Sequence, residues 1–198
     1  MKRYLADISA GSLMLRESRI IASLLWEGAD DATWDHEIRA ANVLQKSAVA
    51  TAVRQARLIR LRLETLDRPA WILIKDGGNE VATQTLFAAA VNHSQLLRDF
   101  VREVVADHSR RLEHELSVSA WEPFLSDCMA RDSAVSNWTA STRKKLLEVI
   151  VRILAEARYL ESTRSLKLLP PHLNPLVKNA LQGMGKDALV RIVELQHE

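Results

Sequence analysis

QKSAVATAVRQARLIRLRLETL, residues Gln45 to Leu66, decides the fold class. Val49, Ala52, Ala56, Ile59, Leu63 and Leu66 recur every three or four positions, so on a helical wheel they share one side. Lys46, Arg54, Arg57 and Arg60 gather on a neighbouring arc, and Arg62 lies apart. The segment reads as a helix with one core face and one basic face. Between Glu37 and Glu64 there are six basic residues, Arg39, Lys46, Arg54, Arg57, Arg60 and Arg62, and not one acid. Helices of soluble proteins intersperse both signs, because opposite charges at i,i+4 attract and unpaired like charges repel. Arginine in place of lysine sharpens the point, since a guanidinium grips phosphate oxygens bidentately. The basic arc is therefore read as a surface for a polyanion, most simply a nucleic-acid backbone. Phosphate contacts position a protein and carry no base information.

The same period extends outward on both sides. Upstream, SLMLRESRIIASLLWEG sets Leu13, Ile20, Ile21, Leu24 and Leu25 in a stripe that Gly28 stops. ADDATWDHEIRAANVLQKS follows, with Asp31 or Thr33 as N-cap and Trp34, Ile38 and Val43 facing inward. Downstream, WILIKDGGNEVATQ is the clearest non-helical punctuation: Asp76-Gly77-Gly78-Asn79 reads as a turn, with room for a short strand before it. VATQTLFAAAVNHSQLLRDFVREVVADHSRRLEHEL predicts one long helix or two consecutive ones, and SAWEPFLSDCMARD a shorter one with Pro123 in its first turn.

The C-terminal part carries a second basic block. Thr139 or Ser141 caps a helix bearing Leu146, Leu147, Ile150, Leu154 and Tyr159 or Leu160, and Arg143, Lys144 and Lys145 sit in its first turn. Cations there oppose the helix dipole at a cost of a few tenths to ~1 kcal/mol, whereas a phosphate would meet both the side chains and the free N–H groups of the first turn. Ser165-Leu166-Lys167-Leu168 alternates like a short strand, and Arg164 and Lys167 add charge to this wing-like segment. A helix, a basic turn and a short strand also occur in winged-helix DNA binders. Asn174-Pro175 reads as N-cap and first residue of a last helix that ends at Gly183 or Gly185.

The chain's 198 residues and 47% hydrophobic content suit a globular protein, and its single cysteine, Cys128, excludes an internal disulfide and a cysteine zinc site. Cys128 reads as a small core residue. With no signal peptide at the N-terminus and no long apolar run, a cytoplasmic location without membrane association is expected. Net charge is only +2, but residues 38–63 and 133–198 are basic whereas 1–37 and 64–132 are acidic. Such polarity orients a charged partner and does not determine the fold. The expected organisation is a single helical domain over 1–198, with sub-blocks 1–68, 69–135 and a winged-helix-like 136–198.

No catalytic apparatus emerges. QGMGKDALV fails as a phosphate loop, because Ala180 stands where a glycine is needed and Asp187 where a hydroxyl residue is needed. His108 and His114, six apart, fall on opposed helix faces and form no metal motif. No serine sits in a nucleophile elbow, and no histidine neighbours Cys128. Trp26, Trp34, Trp71, Trp121 and Trp138 are read as core or helix-end anchors, since none lies within a basic cluster in sequence. No catalytic residue, metal, cofactor or small-molecule substrate is expected.

Four stretches, ISAGSLMLRESRIIASLL, NVLQKSAVATAVRQARLIRLRLETL, ATQTLFAAAVNHSQLLRDFVREVV and WTASTRKKLLEVIVRILAEARYLESTRSLKLLP, resemble in this order the BrxA family, small accessory proteins of bacterial BREX phage-defence systems. The resemblance spans about Tyr4 to Pro171. It implies a mostly α, helical-bundle fold similar to the NusB antitermination factor, with at most a short β-hairpin or wing near 159–169. It also implies binding to double-stranded DNA, association with other BREX subunits, and no enzymatic activity of its own. The family offers no catalytic residue to carry over. From the charge pattern, the expected nucleic-acid contacts are Lys46, Arg54, Arg57, Arg60, Arg143, Lys144, Lys145, Arg164 and Lys167. Two other readings of the same charge remain: an RNA-binding factor, and a scaffold that docks its basic face on an acidic partner.

Overall fold

A computed structural model describes residues 4–196. Those residues are all-α, and two isolated antiparallel bridges, Glu115 with Lys167 and Leu160 with Leu168, are their whole β content. Backbone contacts resolve into two units, each assembled from separated stretches of chain. One comprises residues 13–93 and 174–186; the other comprises 4–12, 94–173 and 187–196.

In the first unit, α1 (Leu15–Glu27), α3 (Val49–Leu63), α4 (Arg68–Asp76), α5 (Asn79–His93) and α10 (Pro175–Gly183) pack together, preceded by a short α2 (Asp31–Asp35) that runs into a π-helical turn, His36–Ala40. α1 stops at Gly28, whose φ of 71° suits a residue without a Cβ. α2 starts on Asp30, which accepts from the Thr33 amide at 2.8 Å; the cap therefore lies one residue before the expected Asp31. α5 is the hub. Val81, Ala82 and every residue from Thr85 to Val91 are buried, as befits a helix apolar on all sides whose alanines admit close neighbours.

The strand considered before the Gly77-Gly78 turn does not form; WILIKD is the body of α4. Pro69 stands in the first turn, where its missing N–H costs nothing, and Ala70 and Ile74 bury one stripe at helical spacing. Trp71 fixes the entry by donating its indole N–H to the Leu63 carbonyl at 2.9 Å. At the far end, Arg19 of α1 donates to the carbonyls of Lys75 (2.9 Å) and Gly77 (2.8 Å), satisfying groups that the helix leaves open. Gly77 is required by contact, because a Cβ there would lie 2.3 Å from the Leu73 carbonyl oxygen.

In the second unit, α6 (Gln95–Asp99), a π-helical turn Phe100–Val105 and α7 (Ala106–Arg110) form one continuous helical run. It is joined by α8 (Trp121–Arg131), α9 (Ala140–Glu156) and α11 (Asp187–Val193). α5 and this run are thus two consecutive helices; Ser94 breaks them and caps the second by accepting from the Leu97 amide. Phe100 meets Trp121 and Phe124 edge-to-face and those two rings lie tilted at 32°, with centroids 5.2–5.8 Å apart. Asp99, fully buried, accepts from the Tyr4 hydroxyl and from Gln95 Nε2, each at 2.7 Å, and lies near Arg102 and Arg131. The strand expected over Ser165–Leu168 does not form: Ser165 lies in a turn, Leu166 has a φ of 52°, and only Lys167 and Leu168 make isolated bridges. Leu116 donates to Leu166, Leu168 to His114 and Leu169 to Tyr159, all at 2.8–2.9 Å.

Cys128 is buried in α8, and burial pushes its thiol up to about 11. The native chain should therefore resist a thiol-specific reagent such as DTNB at pH 8 and release about one equivalent of thiolate chromophore once unfolded in denaturant. Rapid labelling of the folded chain would show that Cys128 is open to solvent.

Candidate nucleic-acid interface

The helix that opens the argument spans fifteen residues, Val49–Leu63, and buries Ala52, Ala56, Ile59 and Leu63 as its spacing requires. Val49, assigned to that core face, is 48% exposed, because it is the first residue of the helix and lies short of the packed turns. Arg62, apart from the basic arc on the helical wheel, is 2% exposed and counts among the largest buried side chains.

The remaining cations of this block divide by partner. Lys46 is spent internally, its ammonium 2.6 Å from Glu17 Oε1 and its backbone held at both ends by Asn42. Burial pushes the Glu17 carboxyl up, but the Lys46 hydrogen bond, a bond to Glu17's own backbone and the Lys46 and Arg16 charges outweigh it and hold the group below its usual range. Arg39 pairs with Asp35 at 2.5 Å. Arg60 reaches Glu64 at 2.8 Å while its guanidinium lies 4.7 Å from the centroid of Trp34. Arg54 and Arg57 are exposed and have no acidic partner among the described residues. They stand three residues apart on one outward line of α3, about one turn of helix.

The cations of the second block lie about one turn deeper than expected, because α9 begins at Ala140 and its first turn ends before Lys144. Thr139 is the N-cap of α9, accepting from the Thr142 amide at 3.2 Å, and no acid occupies the first turn. Arg143 follows one turn in, donating from Nε to the Trp138 carbonyl at 3.2 Å, with its Nη1 3.9 Å from Glu122. Lys144 is exposed without an acidic partner among the described residues. Lys145 lies 3.8 Å from Glu148 and Lys167 3.9 Å from Glu161, both loose, solvent-facing pairs that hold little energy. Arg164 is exposed at the tip of the bridged segment, also without an acidic partner among the described residues.

Four tryptophans correct the expectation that none keeps basic company, Trp26 through the guanidinium of Arg68, 4.4 Å from its ring centroid. Trp34 lies against Arg60, and with Arg39 and Arg57 it borders a shallow groove of about 220 Å³. Trp138 and Trp121 line a larger groove with Arg143 and Lys144. Trp34 is some twenty-six positions from Arg60, so linear spacing hides the pairing; Trp138, five before Arg143, was within reach of it. Among the described residues no group of His, Cys, Asp and Glu could hold a metal ion, and no helix is long and apolar enough to cross a membrane. His108 is occupied locally, with Nδ1 2.9 Å from the Val104 carbonyl and Nε2 3.3 Å from Glu113.

Fold and site together define an all-α protein that displays unpaired arginine and lysine on two helix surfaces and, among its described residues, assembles no metal centre. The chain belongs to the BrxA family, whose profile matches residues 2–185. It is 39% identical over 193 residues to the BREX protein BrxA of Paramagnetospirillum magneticum, covering 98% of this chain and 97% of that one. It is 37% identical over 193 residues to the BREX protein BrxA of Escherichia coli O9:H4, covering 98% and 91%. The crystal structure of an uncharacterized protein from Magnetospirillum magneticum matches with a TM-score of 0.90 at 38% identity, over 98% of this chain and 100% of that one.

Proposed function

We propose that this protein is a non-catalytic accessory component of BREX phage defence that binds duplex DNA along its phosphate backbone. Arg54 and Arg57 of α3, flanked by Arg60, supply one set of contacts; Arg143, Lys144 and Lys145 of α9, with Arg164 and Lys167 beyond it, supply another. Lys46 holds Glu17 and positions the chain ahead of α3. The observation that carries this reading is the state of Arg54 and Arg57. They are two adjacent, exposed guanidiniums on a helix without a single acid inside it, and no carboxylate among the described residues neutralises them. A folded chain that leaves such charge unpaired gains nothing in stability from it; a polyanion recovers the interaction. Family membership supports the defence setting and favours other BREX subunits as partners.

Titrating a fluorescent duplex with the full chain at about 50 and 200 mM salt tests the proposal. If about six phosphates are neutralised, affinity should fall on the order of 10³-fold between those salts. Unlabelled single-stranded DNA should compete poorly. Preferential displacement by duplex RNA would make the protein an RNA-binding factor instead, and no binding at 50 mM would assign the basic faces to docking on an acidic protein partner.

A further inference from the structure

The groove beside the start of α9 has a volume of about 540 Å³, within the range that holds a small organic ligand. Trp121 lies deep in its lining, 4% exposed and fixed by Phe100 and Phe124 on the core side. Trp138, half-buried, contributes a second indole, and Val118 and Leu147 add aliphatic surface. Charge is confined to Arg143, Lys144 and the carboxylate of Glu122, which is exposed at 68% and 3.9 Å from Arg143. Two observations set this groove apart from an ordinary crease: a half-buried indole, Trp138, stands beside two cations, Arg143 and Lys144, and the apolar remainder of the lining, Trp121, Val118 and Leu147, carries no charge.

We infer that this groove is a binding site for a nucleoside 5′-phosphate, either free or as the terminal nucleotide of a strand. The indole of Trp138, over an apolar lining of Trp121, Val118 and Leu147, suits a flat base, which stacks on aromatic faces whatever its identity. The phosphate is received by Lys144 and Arg143 together with the acid-free first turn of α9, where amide groups lack helical acceptors. Glu122 accepts from an exocyclic amine. A simple phosphate would leave the indoles unused, and a neutral aromatic would leave the cations unused; the nucleotide uses both. The inference rests on reading Arg143 and Lys144 as phosphate ligands, but it is separable from duplex binding through α3.

Isothermal titration of the full chain with deoxyadenosine 5′-monophosphate tests it, with deoxyadenosine and inorganic phosphate run separately. The nucleotide should bind at least about 10-fold tighter than either fragment. Lys144→Glu and Trp138→Ala should each weaken it by at least about 10-fold, while an Arg54→Glu/Arg57→Glu chain binds it as the wild type does. Lys144 is exposed, so its variant keeps the melting temperature even where Trp138→Ala loosens the helix start. In a second arm, a short duplex with a 5′-phosphorylated overhang is compared with its 5′-hydroxyl counterpart. Preference for the phosphate makes a strand end the ligand, and equal binding makes it the free nucleotide. Failure of the monophosphate to bind, or binding untouched by both variants, overturns the inference. Nucleotide binding without duplex binding would sink the proposed function and leave this site standing; the reverse pattern would do the opposite.

Discussion

Reversing Arg54 and Arg57 together is expected to weaken duplex binding by two orders of magnitude or more at about 50 mM salt, with no loss of fold. Each guanidinium lost as a charge-assisted phosphate contact accounts for roughly 1.5–3 kcal/mol, and a glutamate in its place adds repulsion. The salt dependence carries the finer test. Loss of two phosphate contacts should flatten the slope of log K against log salt by about 1.8, and the loss should be uniform across DNA sequences because no base is read. Both side chains point outward from α3 and make no ion pair among the described residues, so the melting temperature should stay within about 1 °C of wild type. Retained affinity in this variant would move the DNA contacts to the α9 block or remove them from the molecule.

Asp99→Ala should produce the largest loss of stability, about 3 kcal/mol by denaturant titration. The carboxylate is fully buried and accepts from Tyr4 Oη and Gln95 Nε2 at 2.7 Å each; Arg102 lies 3.3 Å from one oxygen and Arg131 3.7 Å from the other. Its removal takes away the 2.7 Å acceptor of the Tyr4 hydroxyl proton, on a residue 1% exposed, leaves Arg131 as a 3.4 Å donor to that oxygen, and opens a polar-lined void. The cations are not stranded, because Arg131 keeps a bidentate pair with Glu103 at 2.7 and 2.9 Å. That is why the cost stays below the 5 kcal/mol extreme for a broken buried pair. Tyr4→Phe deletes only the hydroxyl and should cost about 1 kcal/mol, and the double variant should cost less than the sum. A change under 1 kcal/mol for Asp99→Ala would show that the N-terminal segment is not held by this network.

The sequence by itself settled the mostly α class, the stop of α1 at Gly28, the cap at Asn174 and the core stripe of α3, and it narrowed the α9 cap to Thr139 or Ser141. These depend on neighbours three or four residues away, and a helix brings those neighbours together whatever the rest of the chain does. It also made the absence of acid around Arg54 and Arg57 visible, since a missing residue type is a property of composition alone. Three things were decided only by tertiary structure. WILIKD became helical because Ala70 and Ile74 find a core to enter and Arg19, fifty-six residues before Lys75, covers the helix end. Lys46 left the free cations because folding sets Glu17 beside it, and Arg62 because packing encloses it. Trp34 and Trp121 joined basic clusters that lie far from them along the chain. In each case the deciding contact is long-range. Charge and periodicity are written locally, but which charge is neutralised and which ring borders a groove depends on residues that only the folded chain brings within a few ångströms.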